Sequence, residues 1–247
     1  MDSEFLKKYY SLEREHWWFL VREKIIRQQL RQSLPQEKSL KILNVGVATG
    51  RTTEMLSDYG TVSSVEFDHD TCLFLRNSLK MEVTEASITS LPFDEGIFDV
   101  VCAFDVLEHI ELDGLAVSEL NRVCKKKGLL YITCPAFQLL WSAHDIVNQH
   151  YRRYTSTSLR KLIQTKFKIV YLTYFNFLLF LPIAFYRMIK KIFSSNAPLK
   201  ADNFAKGLFA EPWVTNVFKS IFASEIFLLR YSRLPFGISI LVRAEKE

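Results

Sequence analysis

The 247-residue chain has only eight glycines and seven prolines, too few for a collagen-like or low-complexity design. Its four cysteines, at positions 72, 102, 124 and 134, form no close-set pairs and have no histidine at metal-ligand spacing. Each lies in an apolar setting, which reads as a reduced core thiol, a cytoplasmic location and no metal centre. Behind the charges of Met1 to Lys8 there is no apolar stretch, so a secretory signal is not expected. Acid is missing from one whole stretch: Ile146 to Lys200 contains ten Lys/Arg and no Asp or Glu, which leaves the rest of this +5 chain net acidic. Within it, Ile169 to Tyr186 carries no charge at all. A spanning helix needs roughly 20 apolar residues, and Thr173, Asn176 and Pro182 interrupt this run. Core packing or contact with a membrane surface is expected instead, and the run alone does not choose between them.

What is present is enough for a core. An apolar content of 49% over this length supports one domain with decorations. Asn44-Val-Gly46-Val-Ala48-Thr-Gly50 closes an apolar run and opens a helical pattern, and Glu66 ends a second apolar run twenty residues after Gly46. This is the layout of a nucleotide-binding βαβ unit: small residues permit a sharp turn close to a ligand, and a strand-end carboxylate accepts from ribose hydroxyls. Further periodicity predicts a helix over Glu4 to Gln32, strands over Lys41 to Val45, Val62 to Phe67, Phe98 to Phe104, Leu129 to Thr133, Phe167 to Asn176 and Gly237 to Arg243, and helices between them. One such helix, Gly114 to Val123, is expected to stop at the Lys125 to Lys127 cations with Gly128 as a left-handed cap. Another starts at Thr155 as N-cap, and, on the core-packing alternative, Leu181 to Ile192 is a helix covering the sheet. Alternating strands and helices imply a parallel sheet covered on both faces. Ser194 to Phe204 reads as a loose linker.

The loop just described, taken with Ser90-Leu-Pro-Phe-Asp94 and Asp99-Val-Val-Cys-Ala-Phe-Asp105-Val-Leu-Glu108-His109, resembles the class I S-adenosylmethionine-dependent methyltransferases. His16-Trp17-Trp18-Phe19, Leu140 to Asp145 and His150 to Tyr154 are similar to a bacterial-type subfamily often linked to surface-glycan genes. The resemblance implies a Rossmann-like, doubly wound α/β fold with a seven-stranded, mostly parallel sheet. Its last strand is inserted antiparallel beside the fifth. Residues 1–36 would form a helical lid and 37–247 the methyltransferase domain, with an acceptor-side insertion around 136–215. The implied cofactor is S-adenosylmethionine, held by Asn44, Gly46, Gly50, Glu66, Ser87, Ile88 and Asp105. Three positions depart from the family pattern: Ser87 stands where an acid usually reads the adenine edge, Asn44 where an acid is usual, and Ala48 where glycine is frequent.

Methyl transfer to a hydroxyl benefits from a general base. His109 and His144 follow strands at the edge where ligands bind, and Asp145 is placed either to orient His144 or to act itself, so these three are the expected catalytic residues. His150-Tyr151-Arg152-Arg153-Tyr154 is the expected acceptor element, because arginine forks take carboxylate or phosphate and tyrosines stack on sugars. Trp17 and Trp18 suit either a lid over the cofactor or core packing. The function expected is O-methylation of a small molecule or of a glycan or lipid-linked sugar, with peripheral membrane contact. A non-catalytic cofactor-binding scaffold or membrane-surface adaptor is the alternative. RNA methylation ranks below both, since no aromatic–basic RNA motif accompanies the pI of 8.9.

Overall fold

The computed structural model describes residues 3–35, 39–193 and 212–247. The Ser194 to Phe204 linker lies outside them. Seven strands form one sheet in the order β3-β2-β1-β4-β5-β7-β6. They are β1 Leu40–Val45, β2 Gly60–Glu66, β3 Thr84–Glu85, β4 Phe98–Phe104, β5 Cys124–Pro135, β6 Lys168–Phe175 and β7 Ser239–Glu245. Pairing from β3 to β5 is parallel, whereas β7 runs antiparallel to both β5 and β6. The inserted antiparallel strand is therefore where the resemblance places it.

Side chains alternate across each strand, and the two faces build separate cores. Leu43, Val101, Leu130 and Ile132 point to one side, where α5 (Asp113–Val123) and α7 (Ser156–Ile163) cover them with Val117, Leu120, Leu159 and Ile163. Ile42, Val100, Cys102 and Tyr131 face the other side, beneath α2 (Trp17–Arg31), α3 (Arg51–Leu56), α8 (Phe180–Phe193) and α9 (Pro212–Tyr231). Each such aliphatic side chain removed from water contributes about 1.5–3 kcal/mol. All four cysteines are buried and free. The expected N-cap Thr155 accepts from the Ser158 amide.

Two expectations change. The predicted first helix is two, α1 (Ser3–Glu15) and α2, because His16 adopts extended geometry and caps α2 by accepting from the Trp18 amide. The helix α5 ends at Val123 as expected, but its cap differs: Cys124 is already extended, and β5 takes over through the lysines. Lys125 pairs with Asp99 at 2.6 Å, and the left-handed residue is Lys127, φ 64°, in place of Gly128. The uncharged run of 169–186 divides between β6 and α8, which are the strand and helix expected there. Among the described residues no helix is long and apolar enough to cross a membrane.

Candidate functional site

The turn after β1 is wound left-handed at three points, Gly46 (φ 71°), Ala48 (φ 47°) and Gly50 (φ 83°). A side chain at Gly46 would meet Val106 Cγ2 at 2.4 Å, so both conformation and space demand glycine there. Ala48 occupies the same backbone region at a cost of about 1–2 kcal/mol. Its amide donates to Glu66 Oε2 at 3.0 Å, while Glu66 Oε1 accepts from the Phe67 and Asp68 amides at 2.8 and 3.1 Å. The carboxylate is thus fixed against the turn and keeps lone-pair capacity for further donors. Asn44 is 1% exposed and donates to Thr52 and Thr53 at 2.8 and 3.0 Å, tying β1 to the first turn of α3. Ser87 Oγ lies 2.8 Å from Thr89 Oγ1, and Ile88 beside it is buried.

The N-terminal helices lie over this turn, and the residues responsible gave no signal in the sequence. Thr49 donates to Glu13, Arg14 is ion-paired with Glu54, and Arg14 Nη2 donates to the Thr49 carbonyl at 3.4 Å. Burial raises the Glu13 carboxyl above its ordinary pKa. From α2, Arg22 meets Asp105 at 2.6 Å and Thr133 at 3.1 Å, and Thr133 donates to Asp105 at 3.0 Å. Asp105, left-handed at φ 56°, is engaged by the lid and caps no helix. A cleft here is lined by Glu13, Phe19, Arg22 and Arg51. Trp17 takes the other role foreseen for it, 4% exposed with its ring edge-on to Phe222 of α9 at 6.1 Å.

A second group stands beyond β4 and β5. The His109 and His150 rings are 4.6 Å apart and perpendicular, with His144 at 6.2 Å from His150. Enclosure by protein lowers both His109 and His144 to about 4, although each keeps an exposed edge, so both are neutral near pH 7. Asp145 lies in α6 (Ala143–Val147) with its side chain 0% exposed. It accepts from Arg153 Nε and Nη2 at 2.8 and 3.0 Å and from the Ser142 amide at 2.8 Å, and it pairs with His150 Nδ1 at 2.9 Å. Although burial opposes ionisation, His150 and Arg153 hold its carboxyl well below the aspartate range. Asp145 therefore orients His150, where the sequence suggested His144, and it is poorly placed to take a proton. His144 has Asn148 as its neighbour.

The basic acceptor element also divides. Arg153 is 8% exposed and spent on Asp145. Arg152 is ion-paired with Asp113 at 3.0 Å and donates to the Glu111 carbonyl. Tyr154 is buried, its hydroxyl donating to Asp113 at 2.8 Å. Of the five residues, Tyr151 faces outward, 54% exposed. Pairing and burial thus convert most of a predicted anion binder into structure.

Comparison with known proteins agrees with this geometry. Residues 43–132 match the family model described as a methyltransferase domain. The match covers β1 to β5, the part that carries the turn, Glu66 and Asp105, and the sheet is that of the class I methyltransferases. A probable S-adenosylmethionine-dependent methyltransferase of Mycobacterium tuberculosis is 28% identical over 127 residues, 51% of this chain and 45% of that protein. The chain thus spans less than half the length of this curated relative. Among solved structures, a SAM-dependent methyltransferase from Archaeoglobus fulgidus superposes with a TM-score of 0.57 at 17% identity, covering 99% of this chain and 100% of that one. The phosphoethanolamine N-methyltransferase 2 of Haemonchus contortus, solved with S-adenosyl-L-methionine, gives 0.55 at 15% identity over 90% of this chain and 52% of its own. At such identities the structural likeness speaks for the fold.

Proposed function

We propose that the chain is an S-adenosylmethionine-dependent methyltransferase that O-methylates a small-molecule or glycan acceptor presented on a lipid at a membrane surface. The observation that carries the reading is the Glu66 carboxylate fixed by three backbone amides against a left-handed, glycine-bearing turn. That arrangement fits a ribose clamped by Glu66 and a backbone approached closely at Gly46 and Gly50. When bound, S-adenosylmethionine supplies an electrophilic methyl carbon on a sulfonium. Ser87 and Ile88 would hold the adenine edge, Asp105 and Asn44 would lie toward the methionine portion, and α1 and α2 over the turn would exclude water. Asn44 contributes no negative charge, and Asp105 already shares its charge with Arg22.

The His109, His144 and His150 group stands at the carboxyl edge of the sheet, where an acceptor hydroxyl can lose its proton to a neutral imidazole. The lipid side of the reading rests on α8. Leu181, Phe185, Met188 and Ile189, spaced along one helical face, are 70%, 67%, 48% and 38% exposed, within the stretch that lacks acidic residues. Incubation with methyl-labelled S-adenosylmethionine and lipid-linked glycan fractions is the direct test. Alkali-stable label on the glycan oxygen is expected; label confined to nitrogen or to free cofactor would remove the O-methylation reading. Ala48 in a strained position favours the scaffold alternative, under which the cofactor binds and no acceptor is ever labelled.

A further inference from the structure

We propose that Glu108, His109 and His150 bind a divalent transition-metal ion on the acceptor side of the methyltransferase site. One ligand atom from each of the three lies within 4.8 Å of the others. Glu108 is 1% exposed and its Oε2 has no hydrogen-bond partner. A buried carboxylate oxygen with nothing to accept from is unfavourable, and a cation between the two rings relieves it. The second, independent observation concerns His150. Its Nδ1 is taken by Asp145 at 2.9 Å, which leaves Nε2 as the free ring atom. Carboxylate–histidine pairs of this kind fix the tautomer and orientation of metal-binding imidazoles. Asp145 is itself locked by Arg153 and the Ser142 amide, so the support is rigid.

The donor set selects the ion. Two imidazoles and one carboxylate suit manganese, iron, cobalt or zinc, whereas magnesium and calcium prefer all-oxygen shells. Ligand atoms around such ions stand about 3.3 Å apart, so the side chains draw together on binding. With three protein ligands, coordination positions stay open, as in catalytic sites, and one can take an acceptor oxygen. Resting there on the transferase reading, the ion polarises the acceptor hydroxyl, whose proton passes to neutral His144. Metal binding itself does not depend on that reading.

The test is titration of the chelator-stripped full chain with Co²⁺ alone, followed by visible absorption. One equivalent is expected to bind with ligand-field bands, and His109→Ala and His150→Ala should each weaken binding at least tenfold. Asp145→Asn should weaken it by about 10–100-fold, the usual effect of losing an outer-shell partner. His69→Ala is the control, since His69 pairs with Glu85 at an exposed position elsewhere, and it should bind like the parent. Circular dichroism separates loss of fold from loss of ligand, and exposed His109 makes its variant the safest. No stoichiometric site in the parent, or unchanged affinity in both folded histidine variants, overturns the proposal. Calorimetry with S-adenosylmethionine on the same samples reports the transferase reading separately: cobalt bound without cofactor binding would leave the metal site standing and sink that reading.

Discussion

At the scale of single residues, Glu66 does two things at once, holding the turn through the Ala48 amide and presenting its remaining lone pairs outward. Glu66→Ala should weaken S-adenosylmethionine binding by about 1.5–3 kcal/mol, the range for hydrogen bonds to a charged group. Isothermal calorimetry measures this, and an unchanged affinity would take Glu66 out of the site. Gly46→Ala should destabilise the fold itself, because φ is 71° and the new carbon would sit 2.4 Å from Val106 Cγ2. Thermal unfolding should drop by about 2–4 °C for each kcal/mol lost in a chain of this size. Asp145→Asn strands Arg153 in the interior, and losing one partner of a buried ion pair costs about 3–5 kcal/mol. The parent's pH dependence has a definite sign. Because the folded carboxyl titrates below its unfolded value, its stabilisation is fully present above the pKa of a free aspartate, about 3.9. It is lost as pH falls through the lower folded value. Denaturant titrations at descending pH should show this acid-side loss in the parent and a flatter profile in Asp145→Asn.

At the scale of elements, legibility follows how local the cause is. The β1 turn and the Thr155 cap show in the sequence as short-range patterns, and Glu66 as a carboxylate that ends the next apolar run. Strand β4 matches the expected Phe98 to Phe104 to the residue, since apart from Asp99 the run is apolar and buried on both faces. The two-residue β3 has no expected counterpart, being too short for any period. The break at His16 depends on a single extended residue inside a helical pattern. The Arg22–Asp105 and Arg153–Asp145 pairs were invisible because they join residues from separate elements. Arg153 reads as an anion binder by type, yet folding supplies an internal carboxylate first. Glu108, His109 and His150 form no pattern in the sequence for the same reason: Glu108 and His109 are adjacent, but His150 joins them only when the chain folds back, with the Tyr151 amide donating to the Glu108 carbonyl at 2.7 Å. The helix α1 yields its own prediction. Removing residues 1–15 takes away Glu13 and Arg14, whose contacts reach Thr49 and Glu54, but leaves both cores in place. Cofactor affinity should fall while cooperative unfolding persists, and a truncated chain that binds as well as the parent would show that α1 is no part of the site.

At the scale of the whole molecule, the stretch that lacks acidic residues includes the exposed apolar face of α8. Basic side chains near an anionic bilayer are worth about 1 kcal/mol each, and the exposed face of α8 adds apolar contact. Co-sedimentation should therefore favour anionic over neutral vesicles at low salt, with the preference shrinking as salt rises and the Debye length shortens. Leu181→Asp with Phe185→Asp should abolish it without unfolding the protein, since both are largely exposed. Equal and negligible recovery with both vesicle types would point to a freely diffusing acceptor.

The placement of β7 between β5 and β6 bears on how the chain is born. Strands β1 to β5 can pair in the order they leave the ribosome, since each parallel neighbour is already made. Strand β6 cannot: its partner in the sheet is β7, synthesised only after α8 and α9. Until then β6 offers a bare backbone edge, the kind that invites pairing with other chains. The nascent protein must carry a finished β1 to β5 half beside an open β6 edge, and Lys166 and Lys168 at the start of that edge are the sort of charge that keeps such an intermediate in solution.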